Sequence, residues 1–142
     1  MPVERQVTED DALQLVLAVH RLNRTLRLST TDLPPTQLIV LSLLAEHGPM
    51  RIGELAARVP CSQPTATTVV AVLEAAGLAR REPDPADGRA VLIILTDEGQ
   101  ERITSVARRE AELLDRRMAE LEPDEREIVL AATPLLRRLA GR

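Results

Sequence analysis

The order of apolar and polar positions divides the chain into helical and extended stretches. From about Asp10 to Leu28, the residues Ala12, Leu15, Val19, Leu22 and Leu26 recur at alternating spacings of three and four. That is the heptad-like seam of an amphipathic helix. Leu13, Val16 and Leu17 make a second apolar row beside it. Thr8 followed by Asp11 resembles a capping box, and Glu9, Asp10 and Asp11 put negative charge where a helix dipole is positive. Two apolar rows on one helix predict two partners, one in its own domain and one in a second chain.

Leu33-Pro34-Pro35-Thr36 interrupts this pattern, with Pro35 suited to a helix start. Leu38 to Ala45 is apolar at every position but Ser42, which predicts a buried central helix, ended by Gly48-Pro49. Ile52, Leu55, Ala56 and Val59 predict a short helix, followed by a tight turn at Pro60-Cys61. Ser62 is a good N-cap for the next helix, where Pro64 is tolerated in the first turn. That helix puts Ala66, Val69, Val70 and Leu73 on one face and Gln63, Thr67, Thr68, Ala71 and Glu74 on the other, and Gly77 stops it. Two helices joined by a short turn, the second with a polar outer face, predict a helix-turn-helix.

Beyond Gly77 the period changes. Leu78–Glu82 and Arg89–Leu95 predict two strands, with a long polar tip of turn-forming residues from Pro83 to Gly88. Thr96 then caps a long helix reaching to about Leu121, on which Ala107, Ala111, Leu114, Met118 and Leu121 repeat at helical spacing. Pro123 breaks it. Ile128, Ala132, Leu135 and Leu139 mark a last helix, in which Pro134 predicts a kink or an early break. A helix-turn-helix followed at once by a β-hairpin is a winged helix. Its second helix fits the roughly 12 Å major groove of DNA, and the hairpin tip reaches the adjacent minor groove. The predicted fold is therefore mainly α with a small β-hairpin wing. A winged helix-turn-helix lobe at 33–99 is joined by N- and C-terminal helices, at 8–30 and 100–142, that are surplus to a winged helix and need a use of their own. The whole of 1–142 is one such domain.

Composition narrows the chemistry. The 142 residues include no Trp, Tyr or Phe. The core must be aliphatic, and base stacking of the kind used on single strands and RNA is excluded. Lysine is absent too, so all 18 basic residues are arginine, each planar, permanently charged and capable of bidentate bonding. Net charge is −4, which opposes unspecific binding to nucleic acid, but the segment 51–89 is balanced while its flanks are acidic. One Cys and two His make no disulfide and a poor metal site, so no metal or cofactor is expected. No stretch approaches a membrane span, and the start MPVERQVTEDD is too acidic for a signal peptide, which makes the cytoplasm the default. There is no Gly-rich phosphate loop, nucleophile elbow or Cys–His cluster, so no catalytic residue is assigned and an enzyme is not expected.

At this point the residues resemble the MarR-type transcriptional regulators, by motif from Leu33 to Gly99 and by layout over the whole chain. The matching stretches are Ile52-Gly53-Glu54-Leu55-Ala56, Ser62-Gln63-Pro64-Thr65-Ala66-Thr67, Leu73-Glu74 and Gly77-Leu78. The most specific is the wing, where Asp87, Arg89, Leu95, Thr96 and Gly99 fall on the family's motif. The resemblance implies a homodimer on a double-stranded DNA operator, with the helices at 8–30 and 100–142 forming an intertwined dimerisation layer. It also implies a recognition helix at Ser62–Ala76, a wing Arg in the minor groove, and release from DNA by a small phenolic or lipophilic ligand. Repression is the family's commoner mode. Some members respond to thiol oxidation, but their Cys lies in the N-terminal helical region, which has none here. Cys61 has no nearby second Cys to resolve a sulfenic acid, so a sensor role is not expected.

The family's recognition helix usually carries Arg or Lys, and Ser62–Ala76 carries neither. Direct Arg-to-guanine readout from this helix is excluded, leaving Gln63 and the Thr65, Thr67 and Thr68 hydroxyls and methyls. The candidate DNA-contacting residues are Arg51, Arg58, Ser62, Gln63, Thr65, Thr67, Thr68, Arg80, Arg81, Asp87 and Arg89, with Asp87 orienting the Arg89 guanidinium. The candidate dimer contacts are Leu15, Val19, Leu22, Leu114, Met118, Leu121, Ile128, Leu135 and Leu139. A ligand pocket walled by Leu, Val, Met and Arg is expected among the first, second and fifth helices. The competing reading is a winged-helix protein–protein module without DNA binding, favoured by the Arg-free recognition helix and acidic net charge and opposed by the Asp87/Arg89 wing.

Overall fold

The computed structural model describes residues 5–59 and 61–141. Residues 1–4 of the acidic opening, and Pro60 of the predicted Pro60-Cys61 turn, lie outside the described residues. The elements are α1 (Glu9–Thr30), α2 (Pro35–His47), β1 (Met50–Arg51), α3 (Ile52–Arg58), α4 (Gln63–Ala75), β2 (Ala79–Asp84), β3 (Asp87–Leu95), α5 (Asp97–Met118), α6 (Pro123–Ala131) and α7 (Thr133–Ala140). The chain is mainly helical with one small antiparallel sheet, ordered β1-β3-β2. It forms two compact units, one of Thr30–Arg108 and one of Met1–Ser29 with Arg109–Arg142.

The first unit is the winged-helix lobe. Its core gathers Val40, Leu41 and Leu44 of α2, Met50 of β1, Leu55 of α3, Val70 and Leu73 of α4, Leu78, Ala79 of β2 and Ile93 of β3. These are aliphatic side chains, and burying each Leu or Val contributes about 1.5–3 kcal/mol. The helix predicted to be buried is α2, where Leu38, Val40, Leu41 and Leu44 are all buried. The exceptional Ser42 is satisfied within the helix, its hydroxyl donating to the Leu38 carbonyl at 2.8 Å. On α4 the inner face is Ala66, Val70 and Leu73, with Val69 half-buried beside them.

The joints of this lobe follow from a few polar atoms and two glycines. Ser62 caps α4 by accepting from the Thr65 backbone N–H at 3.2 Å. At the other end Gly77 takes φ 75°, and Leu78 N–H reaches the Leu73 carbonyl while Gly77 N–H reaches that of Glu74. That pair of bonds is a Schellman motif, which needs the left-handed conformation glycine supplies. Thr96 joins the wing to α5. Its hydroxyl donates to the Gly77 carbonyl at 2.6 Å and accepts from Gly99 N–H at 3.0 Å. Gly99 is buried, and a Cβ there would collide with the Leu78 carbonyl oxygen and the Leu95 side chain. The Leu-Thr-x-x-Gly stretch is thus a close junction between the sheet and α5.

The sheet differs from expectation in two ways. A third strand, β1, pairs with β3 through Met50↔Ile93 and Arg51↔Leu92. Two residues are too few for alternation to reveal. The hairpin tip is also shorter than the polar run implied. Asp84 pairs with Asp87, so only Pro85 and Ala86 turn, with an irregularity of register between Pro83 and Asp84. Two Asx hydrogen bonds tighten it: Ala86 N–H donates to Asp84 Oδ1 at 2.9 Å, and Arg89 N–H to Asp87 Oδ1 at 3.1 Å.

The second unit carries α1 up to Ser29, α5 from Arg109, and α6 and α7. The Thr8/Asp11 capping box forms, with Thr8 N–H on Asp11 Oδ2 at 3.1 Å and Asp11 N–H on Thr8 Oγ1 at 3.2 Å. α5 ends at Met118, short of Leu121, because its last turn tightens to bonds such as Leu121 N–H to the Met118 carbonyl. The pattern from Ile128 to Leu139 breaks at Ala132 into two helices, with Pro134 in the first turn of α7.

Candidate nucleic-acid interface

The recognition helix predicted at Ser62–Ala76 is α4, and its polar face is exposed at Gln63, Thr67, Thr68, Ala71 and Glu74. The threonines are not idle donors. Thr67 Oγ1 donates to the Gln63 carbonyl at 2.8 Å, and Thr68 Oγ1 donates to that of Pro64 at 3.0 Å. Each hydroxyl proton is spent inside the helix, which leaves oxygen lone pairs and a methyl group toward any partner. In a major groove, lone pairs suit the amino groups of adenine and cytosine, and methyls suit thymine. Thr65 Oγ1 lies 2.9 Å from the capping Ser62 Oγ, so these two hydroxyls are engaged with each other. Gln63 keeps an amide for bidentate contact. Its Nε2 stands where a Cβ on Gly53 would come within 3.1 Å, so the glycine of α3 makes room for it.

The arginines around α4 are mostly engaged. Arg51 on β1 reaches Asp84 Oδ2 through Nε at 3.0 Å and Nη2 at 2.5 Å. Arg80 pairs with Glu82 at 2.8 Å, and Arg81 pairs with Glu74 of α4 at 3.3 Å. Arg58, at the end of α3, has Nη1 3.3 Å from His47 Nε2. A guanidinium can only donate, so the histidine nitrogen accepts. Arg89 on the exposed tip has no acid partner among the described residues. The sequence predicts that Asp87 orients this guanidinium, but its Oδ1 accepts instead from the Arg89 backbone N–H and so shapes the turn.

Asp84 escaped sequence reasoning, which saw only a turn former. It is buried at 8% exposure. The Arg51 guanidinium, through hydrogen bonds and charge, and the Ala86 N–H hold its carboxyl below the usual carboxylate range, while Arg51 is pushed upward by the same contact. The useful signal would have been an arginine on an edge strand facing an acid on the opposite edge, and the edge strand itself was too short to see.

No helix among the described residues is long and apolar enough to cross a membrane. Among those residues, no group of three or more His, Cys, Asp or Glu could hold a metal ion, and Cys61 is a half-buried free thiol.

A lobe with a polar-faced second helix, an adjoining hairpin and an arginine at its tip defines a winged helix-turn-helix protein. The MarR family model matches residues 31–90. The chain is 39% identical over 127 residues to the HTH-type transcriptional regulator Mb0904 of Mycobacterium bovis, covering 88% of this chain and 89% of that one. This chain belongs to the MarR family of DNA-binding transcriptional regulators. Among solved structures it resembles transcriptional regulator Tm0710 of Thermotoga maritima, with TM-score 0.77 and 27% identity over 93% of this chain and 94% of that one. It also resembles NadR, solved in complex with 4-hydroxyphenylacetate, with TM-score 0.68 and 28% identity over 99% of both chains.

Proposed function

We propose that the protein is a homodimeric, non-catalytic repressor of the cytoplasm that binds an inverted-repeat operator and leaves it when a small phenolic or lipophilic ligand binds. The observation that carries the DNA contact is the pairing of an exposed, polar α4 face with a hairpin tip whose Arg89 has no acid beside it among the described residues. In this reading Gln63, Thr65, Thr67 and Thr68 read base edges in the major groove. Arg89 enters the minor groove, where a narrow groove focuses negative potential, and Asp87 keeps its backbone in place. Ser62 presents the helix N-terminus, and Arg58, Arg80 and Arg81 lie toward the phosphates.

Dimerisation is supported by apolar surface. Leu15, Val19 and Leu22 of α1 are exposed, as are Ile128 at 70%, Leu135, and Leu139 at 75%, while Leu114, Met118 and Leu121 are half-buried. Rows of exposed apolar side chains along these helices support an interaction site.

The competing reading, a protein–protein module without DNA binding, is favoured by the acids that neutralise Arg51, Arg80 and Arg81 inside the lobe. One experiment separates them. Selection of duplexes from a randomised pool should enrich an inverted repeat with half-sites about one helical turn apart. Enrichment of nothing would put the protein–protein module first. Addition of 4-hydroxyphenylacetate or related phenolic acids should then release the selected duplex.

A further inference from the structure

We propose that Arg51 and Asp84 act as positioning residues for DNA binding: their ion pair fastens the wing to the start of the helix-turn-helix and so sets where Arg89 stands relative to α4. The proposal rests on the DNA-binding reading above and gives Arg51 a role inside the protein in place of a phosphate contact.

The geometry is that of a clasp. In the sheet order β1-β3-β2, Arg51 and Asp84 lie on the two edge strands, so their side chains span the central strand. β1 pairs over two residues only, a slender backbone connection between the wing and the helices that follow it. Asp84 divides its two oxygens between the parts. Oδ2 takes both Nε and Nη2 of Arg51, and Oδ1 takes the Ala86 N–H of the tip. The irregularity of register between Pro83 and Asp84 falls at the residue whose side chain must leave the hairpin to reach Arg51. Such irregularities commonly re-aim a side chain. Arg51 is anchored at its other end as well. It precedes α3, and its N–H donates to Glu54 Oε2 at 3.1 Å. The Asp84 side chain is only 10% exposed, and a carboxylate so placed demands its partner. From α3 the short turn leads to Ser62 and α4, so one carboxylate relates the hairpin tip to the reading helix.

Charge alone predicts the opposite of the clasp. Were Arg51 a phosphate ligand damped by Asp84, removing the acid would strengthen binding. The clasp predicts that removing it weakens binding, because Arg89 loses its aim. The test uses full-length wild type, Asp84→Asn, Arg89→Ala and the double variant on the duplex that wild type selects. Asp84→Asn keeps the shape and an acceptor for Ala86 N–H. It should bind about tenfold more weakly, the order of one lost groove contact. On the Arg89→Ala background the same substitution should change nothing. Hydroxyl-radical protection of the flanking minor groove should fade in Asp84→Asn, while protection of purine N7 in the major groove persists at saturation. Binding as tight as wild type or tighter, losses that add in the double variant, or equal loss of both protections would overturn the clasp. So would an Asp84→Asn chain that does not fold at 25 °C, since the pair would then hold the lobe together rather than aim the wing. Failure of wild type to select any duplex would sink the DNA-binding reading itself.

Discussion

On the hairpin tip a single guanidinium, Arg89, extends with no acid partner among the described residues, and removing it tests the proposed groove contact. Arg89→Ala should leave the fold intact, because the residue is exposed and touches no core position. It should weaken operator binding by about 1–3 kcal/mol and lower the salt slope by about one per half-site. A salt titration of affinity reads both. Asp87→Asn keeps an acceptor for the Arg89 N–H and should bind about as well as wild type, whereas Asp87→Ala loosens the turn and should cost part of the Arg89 effect. Asp84 carries a pH dependence. Its folded carboxyl lies below its unfolded value, so its contribution is fully present above the unfolded value and is lost as pH falls through the folded one. Denaturant titrations from pH 6 downward should show this acid limb in wild type and a flatter one in Asp84→Asn. These residues differ in how readable they were. The wing motif put Arg89 on the page by local spacing, whereas Arg51 meets a partner 33 positions away, and local pattern carries no such pairing.

Elements were readable where a period had room to repeat. The rows of α1 and α5 and the all-apolar run of α2 became helices within a few residues of their predicted ends. β1 had no room, and the hairpin tip was overestimated because turn-forming composition continues into residues that the Asx bonds draw into pairing. Junctions were legible as motifs but not as contacts. Gly99 shows why its motif needs a glycine, since a side chain there meets backbone that cannot yield. Gly99→Ala should destabilise the lobe by about 1–3 kcal/mol or more, the usual cost of overpacking, seen as a lower urea midpoint. Ser62→Ala should cost about 0.5–2 kcal/mol through loss of the α4 cap. Gly99→Ala should reduce DNA binding only as far as it unfolds the lobe, which operator titration at 10 °C and 25 °C would separate from a direct contact.

For the whole molecule, the apolar rows of α1, α6 and α7 are the feature a single chain leaves unexplained. Light scattering at micromolar concentration should give twice the 15.6 kDa of one chain. Leu139→Glu places a charge on one of the most exposed of these leucines and should shift the mass toward one chain, with loss of operator binding in step. A wild-type mass of one chain would end the homodimer reading. The dimer expectation rests on apolar rows that the sequence displays and on the family resemblance. Which atoms meet across the interface depends on a second surface that no single sequence pattern describes.

The acids that neutralise Arg51, Arg80 and Arg81 inside the lobe have a consequence for how the regulator finds its site. Sliding along a genome depends on unspecific attraction to phosphates, and that attraction grows with each cation able to displace a counterion. A lobe that pairs Arg51, Arg80 and Arg81 with acids, on a chain of net charge −4, has less such grip. On the DNA-binding reading the protein should therefore bind random-sequence duplex weakly, which a salt titration against non-cognate DNA measures.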